Sequence, residues 1–231
     1  MKPEEILDQI EILFPNAKCE LLHETPFQLL VAVVLSAQTT DAGVNRVTPT
    51  LFSRWPDSAS LAKADVQEVA DTIRSIGLYP TKSKNIVALA QKIEEEFHGE
   101  VPSTFKELQS LPGVGRKTAN VVRSVAFDIP SMAVDTHVER VSKRLGLAKF
   151  DDDPLKVEEK LRRKLPRERW NQAHHDLIFF GRYFCTARFP KCEKCPFASF
   201  CKREKFDLYK AQKIDPDFVA KGVRPKRKAS K

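Results

Sequence analysis

Residues 111–145 read LPGVGRKTANVVRSVAFDIPSMAVDTHVERVSKRL. The stretch opens on a two-glycine turn, Gly113-Val114-Gly115, and passes at once into a helical pattern with Ala119, Val122, Val125 and Ala126 at apolar spacing. Glycines at such a turn let the backbone bend sharply and come close to a ligand. The unpaired N–H groups of the turn and helix start then suit a single phosphate. Arg116 and Lys117 follow directly, and Asp135 comes eighteen residues after Lys117, within Val-Asp-Thr-His. An anion seat, an amine and a carboxylate thus occupy one short segment. Taken alone, the same residues also read as an ordinary turn, a solvated lysine and an N-cap for a helix over 136–145.

Working outward, the flanks are helical. Residues 104–110 form a helix before the turn, with Ser103 as its cap, which makes a helix–hairpin–helix unit. Upstream, helices are expected over 3–14, 27–38, 42–54, 65–76 and 82–97, with Asp41 capping the third and Gly77 and Gly99 stopping the last two. Leu78-Tyr79-Pro80 reads as an exposed, apolar loop tip. Downstream, helices are expected over 155–165, behind the Asp153-Pro154 start signal, and over 167–181. Alternating strand patterns are almost absent, so the fold class is all-α.

The chain has 231 residues, 42% of them hydrophobic, enough for one large or two small cores. Its formal charge of +8 favours anionic partners, nucleic acid before membrane. The last eleven residues, KGVRPKRKASK, carry six of the basic groups, so the body must bind anions through local patches. Glu4, Glu5 and Asp8 interrupt any secretory signal, and the apolar run 27–37 is too short to span a bilayer. A non-secreted, cytoplasmic protein is expected, with no membrane contact.

Four of the five cysteines fall within seventeen residues: Cys185-x6-Cys192-x2-Cys195-x5-Cys201. Without a signal peptide, disulfides are disfavoured. Four close thiolates suit tetrahedral zinc or an iron–sulfur cube, and spacing alone separates the two poorly. Arg188, Lys191, Lys194, Lys202 and Arg203 surround them, able to balance an anionic centre or reach phosphates. Cys19 stands apart and reads as a small core residue.

LPGVGRKTANVV, AVDTH and the four-cysteine pattern, in this order and together with LSAQTTD and SIGLY upstream, resemble the endonuclease III family of helix–hairpin–helix DNA glycosylase/AP lyases. The resemblance covers residues 1–204. It implies two helical lobes with a DNA-binding cleft between them: a bundle over 22–132, and a lobe built from 1–21 and 133–204 around a [4Fe-4S] cluster held by the four cysteines. Residues 205–231 lie beyond the family core and are expected to form a flexible basic tail. The resemblance makes Lys117 the nucleophile and Asp135 its acidic partner in base excision on damaged duplex DNA, with oxidised pyrimidines as substrates and a monomeric enzyme. Partial burial and the positive helix end are expected to favour the neutral amine. Gln38 fills the space of a flipped base, Leu78 wedges beside its orphan partner, and Gly113, Val114, Gly115, Arg116, His137, Lys191 and Lys194 face the DNA. His137 has the alternative of orienting its helix, while His174 and His175 read as satisfied core histidines. The competing readings are a monofunctional mismatch glycosylase, which Lys117 opposes, and a noncatalytic, redox-sensing DNA-binding module. Pro80 and Cys19 receive no role.

Overall fold

A computed structural model describes residues 1–214 and shows helices throughout, with no strand among them. In chain order they are α1 (Pro3–Leu13), α2 (Pro26–Leu35), α3 (Asp41–Arg54), α4 (Ser58–Ala62), α5 (Val66–Thr72), α6 (Tyr79–Phe97), α7 (Phe105–Ser110), α8 (Arg116–Phe127), α9 (Thr136–Arg144), α10 (Pro154–Lys164), α11 (Trp170–Phe179) and α12 (Arg203–Ile214). A π-helical turn, Phe180–Phe184, widens the end of α11.

Two hydrophobic cores account for the packing. The first centres on α2, whose residues Phe27 to Leu35 are all buried because no side chain on it is charged. Around it pack α3, α6 and α8, while α4 and α5 lie on α6 and α7 lies on α8. The second core draws Ile6, Leu7 and Ile10 of α1 together with Val138, Val141, Leu161, Leu177 and Phe197. Its organising helix is α9, in contact with α10, α11, α12 and the π-turn. The chain crosses between the cores near Met132 and Ala133, which belong to different clusters.

Several helix ends differ from expectation for local reasons. α2 stops at Leu35, not at residue 38, because the Ser36 hydroxyl donates to the Val33 carbonyl (2.8 Å) and Gln38 turns into a left-handed conformation (φ 54°). Thr40, not Asp41, caps α3 by accepting the Gly43 N–H (3.1 Å), which leaves the Asp41 carboxylate for another partner. α5 ends at Thr72, although Ile73 and Ile76 stay buried in the turns beyond it. α6 begins at Tyr79, so the exposed Leu78-Tyr79-Pro80 tip is its cap and first turn rather than a loop. Thr104 replaces Ser103 as the cap of α7. The tail also begins later than expected. Residues 203–214 form α12, because Phe206 is buried and Asp207 pairs with Arg144 (3.1 Å). The basic segment 221–231 lies outside the described residues.

Candidate active site and metal centre

The glycine turn is built as its sequence demands. Gly113 has φ +77°, and a Cβ there would stand 3.1 Å from Val34 Cγ1 and 3.2 Å from Asn85 Cβ. Gly115 differs: nothing lies within 4 Å of its missing Cβ, and no side chain caps α8 behind it. Val114 is buried and anchors the turn, its N–H bonded to the Leu111 carbonyl (3.1 Å). The uncapped start of α8 is thereby offered to an anion.

Lys117, on the first turn of α8, and Asp135, the N-cap of α9, line one open cleft of about 1020 Å³. Asp135 Oδ1 accepts the N–H groups of His137 and Val138, both at 2.8 Å. That cap uses one carboxylate oxygen and leaves the other outside these bonds. Lys117 is exposed, so the partial burial expected for it is absent from the free protein. The cleft wall also carries Ser36, Gln38, Asp41, His137 and Arg182. Behind it lies an inner recess of about 50 Å³, reached by Lys117 and Asp135 and lined also by Cys19, His174 and His175.

His174 is buried and its Nδ1 lies 2.8 Å from the Ala133 carbonyl, two residues before Asp135. A carbonyl only accepts, so Nδ1 carries the proton. Burial, with the charges of His175 and Lys117, pushes its pKa down to about 3, and the ring is neutral and satisfied. Burial likewise lowers the pKa of half-buried His137, whose Nδ1 meets Arg140 Nη2 (3.3 Å).

Gln38 and Leu78 share an unusual feature. Both are exposed and both have positive φ, 54° and 60°. That region is uncommon for a residue other than glycine, and His98 and Asp128 also adopt it, at helix ends. Lys82, 4% exposed, donates from Nζ to Thr39 Oγ1 (2.7 Å) and so ties the first turn of α6 to the turn carrying Gln38.

Sequence reading missed the polar wall opposite. Arg182, from the π-turn, is bound by Asp41 Oδ2 and Glu20 Oε2, both at 2.6 Å, and Tyr183 Oη donates to Glu20 Oε1 (2.7 Å). Glu20, Asp41 and the Arg182-Tyr183 pair lie far apart in the chain, so no local pattern joins them. Arg116 also departs from expectation. Its Nε and Nη2 make a bidentate pair with Glu158 of α10, both at 2.7 Å, with the guanidinium 5.0 Å from the Phe105 ring centroid, which leaves Nη1 outside the pair.

The four cysteines form no disulfide and line one cavity of about 460 Å³. Among the described residues, no group of three or more His, Cys, Asp or Glu is placed to hold a single metal ion. Four cysteine sulfurs lining one cavity make a donor set that fits an iron–sulfur cube. Cationic support is built in. Arg144, 1% exposed, donates to Cys185 Sγ (3.4 Å) and to the Thr186 carbonyl (2.8 Å), and Arg203 Nη1 lies 3.3 Å from Cys192 Sγ. Burial raises the pKa of Cys195 and Cys201, and the neighbouring thiols raise it further, an unfavourable crowding that bound iron relieves. Lys191 and Lys194 are exposed on the same loop, beside Phe189 at 87% exposure.

A glycine hairpin presenting a lysine, an N-capping aspartate across a cleft and a four-cysteine cage together define a helix–hairpin–helix protein with an iron–sulfur lobe. Known proteins agree. The HhH-GPD superfamily of base excision DNA repair proteins matches residues 31–167, and the iron–sulfur binding domain of endonuclease III matches residues 185–201. Endonuclease III of Bacillus subtilis (strain 168) is 55% identical over 208 residues, covering 88% of this chain and 95% of that protein. That of Escherichia coli (strain K12) is 42% identical, covering 88% and 97%. A trapped endonuclease III–DNA covalent intermediate, described as an estranged-adenine complex, superposes with a TM-score of 0.85 at 49% identity, over 90% of this chain and 99% of that one. A thermostable thymine-DNA glycosylase shares the fold, with a TM-score of 0.79 at 23% identity over 87% and 96%. The chain belongs to the endonuclease III family of DNA glycosylase/AP lyases and carries that family's [4Fe-4S] cluster. No helix among the described residues is long and apolar enough to cross a membrane.

Proposed function

We propose that this enzyme removes oxidised pyrimidines from duplex DNA and cleaves the resulting abasic strand through an imine on Lys117. The carrying observation is the placement of Lys117 and Asp135, from α8 and from the start of α9, on one open cleft. Damaged bases reach such a site only after leaving the stack. Gln38 and Leu78, held exposed in left-handed turns, suit the two wedge roles: one takes the vacated space and the other sits beside the orphan base. The estranged adenine in a relative's trapped complex supports that division.

The chemistry follows from the side chains. Loss of the base leaves positive charge at C1′, which the Asp135 oxygen outside the cap stabilises. Lys117 Nζ forms a bond to C1′ as the base departs with the glycosidic electron pair, and Asp135 accepts the amine proton. Sugar-ring opening gives the imine. Loss of a proton from C2′ then expels the 3′ phosphate by β-elimination. DNA closing over the exposed amine excludes water from the site. Ser36, Asp41 and Arg182 offer acceptors and donors to the polar edge of an oxidised pyrimidine. Gly113, Val114 and Gly115 seat a strand phosphate at the start of α8, His137 flanks the sugar, and Lys191 and Lys194 reach the backbone. The cluster holds the loop carrying these lysines in shape. The enzyme works as a monomer on chromosomal DNA, in the cytoplasm.

The test is borohydride trapping on a duplex with one thymine glycol, comparing the native enzyme with Lys117→Gln. The expected result is a covalent adduct and strand cleavage in the native protein and neither in the variant. An adduct that persists in the variant moves the nucleophile elsewhere. A native protein that binds but neither traps nor cleaves, even at an abasic site, refutes the lyase.

A further inference from the structure

The seam between the two cores holds a second polar site, on the far side of Arg116 from the hairpin. Its recess, of about 150 Å³, is lined by Arg116 and Arg123 of α8, Ser131 of the crossing segment, and Glu158 and Arg162 of α10. Glu158 is the single acidic side chain in that lining, and its oxygens are already occupied. Arg116 binds it bidentately, Asn120 Nδ2 donates at 3.3 Å, and Arg162 Nη1 stands 3.5 Å away.

Three donor groups are left over. Arg123 Nε is buried and has no hydrogen-bond partner among the described residues. Ser131, 3% exposed, has a hydroxyl that is also buried and unpartnered. Arg116 commits Nε and Nη2 to Glu158, which leaves Nη1. Burial, then the like charges of Arg162 and Arg167, hold the Arg123 guanidinium below its usual range, with no carboxylate acting in the opposite direction. Leaving a buried donor unmade costs about 1–3 kcal/mol, more for a charged group. Like charges gathered without a counterion add to that cost. A bound anion removes both.

We infer that this recess is a binding site for a small tetrahedral oxyanion of the phosphate class, held by Arg123, Ser131 and Arg116. The volume favours a free ion: a water occupies about 30 Å³ of liquid, so a tetrahedral oxyanion and a water or two fill the space. The ion ties α8 to the crossing segment, beside the Arg116–Glu158 pair that joins α8 to α10.

The experiment is thermal unfolding of the cluster-loaded full chain in sodium phosphate against sodium chloride at equal ionic strength, for the native protein, Arg123→Gln and Ser131→Ala. A saturable rise in the native midpoint that is lost in Arg123→Gln and weakened in Ser131→Ala supports the site. Should Arg123→Gln not fold, Ser131→Ala decides alone. No rise in the native protein means that water fills the recess, and the inference fails. An equal rise in both variants places phosphate elsewhere, at the hairpin for instance, and also overturns it. Loss of duplex affinity in Arg123→Gln without any phosphate-dependent midpoint assigns the recess to the DNA backbone and rejects the free ion.

Discussion

Asp135 carries two functions on one carboxylate, and they are separable. Its Oδ1 satisfies two orphan N–H groups at the start of α9, while the cleft chemistry needs negative charge. Asparagine caps helices as well as aspartate does, but it carries no charge. Asp135→Asn is therefore expected to unfold at the native midpoint and to lose base excision by about a hundredfold or more. Asp135→Ala loses the same activity and in addition about 1 kcal/mol of stability. Parallel melting curves and single-turnover excision check this, and an Asn variant as unstable as Ala would refute the separation. Asp135 is legible in sequence because an N-cap has a residue preference and a fixed place before a helix. The left-handed conformation of Gln38 and Leu78 is not, since glycine or asparagine is its usual signal.

At the scale of elements, the π-turn after α11 joins the two centres of the molecule. Sequence periodicity extends a helix to residue 181 and does not show the widening, because the i→i+5 shift is confined to one turn, too short a stretch to establish a period. The result is that Arg182 and Tyr183 line the DNA cleft while Phe180, Phe184 and Cys185 line the cluster cavity. Arg140 of α9 fastens the turn, with Nη2 donating to the carbonyls of Gly181 (2.7 Å) and Cys185 (3.2 Å). Gly181 permits this approach: a Cβ there would stand 2.9 Å from His137 Cβ and 3.2 Å from Val141 Cγ2. Because His137 follows Asp135 by two residues, Gly181→Ala pushes on the cleft and the cluster cavity at once. We expect it to cost about 1–3 kcal/mol and to speed loss of the cluster's visible absorbance on incubation. A variant with native stability and native cluster retention would show that α9 and the turn are not coupled.

Over the whole molecule, the split of cationic residues between holding the lobes and holding DNA was beyond sequence reading. Arg116 sits beside Lys117 in the motif and is expected at a phosphate, yet it turns across the seam to Glu158, 42 residues away. The helices were legible because each carries its own apolar face and caps, whereas a long-range ion pair leaves no local trace. The two kinds of cation should respond differently to removal. Glu158 has a side chain only 5% exposed, so Arg116→Ala strands a buried carboxylate with Asn120 and Arg162 as its remaining support. Loss of one partner of a buried pair costs about 3–5 kcal/mol, and the half-exposed arginine puts this case toward the lower end. The variant is expected to melt several degrees below the native enzyme while the salt dependence of its DNA binding stays native. Lys191→Ala and Lys194→Ala should do the reverse. Both side chains are exposed, so stability holds, and removing each lysine–phosphate ion pair reduces the slope of log affinity against log salt by about 1. Melting curves and duplex titrations across a salt series measure both effects. A native midpoint for Arg116→Ala together with a reduced salt slope would return Arg116 to the DNA and make the Glu158 pair a resting interaction that DNA breaks.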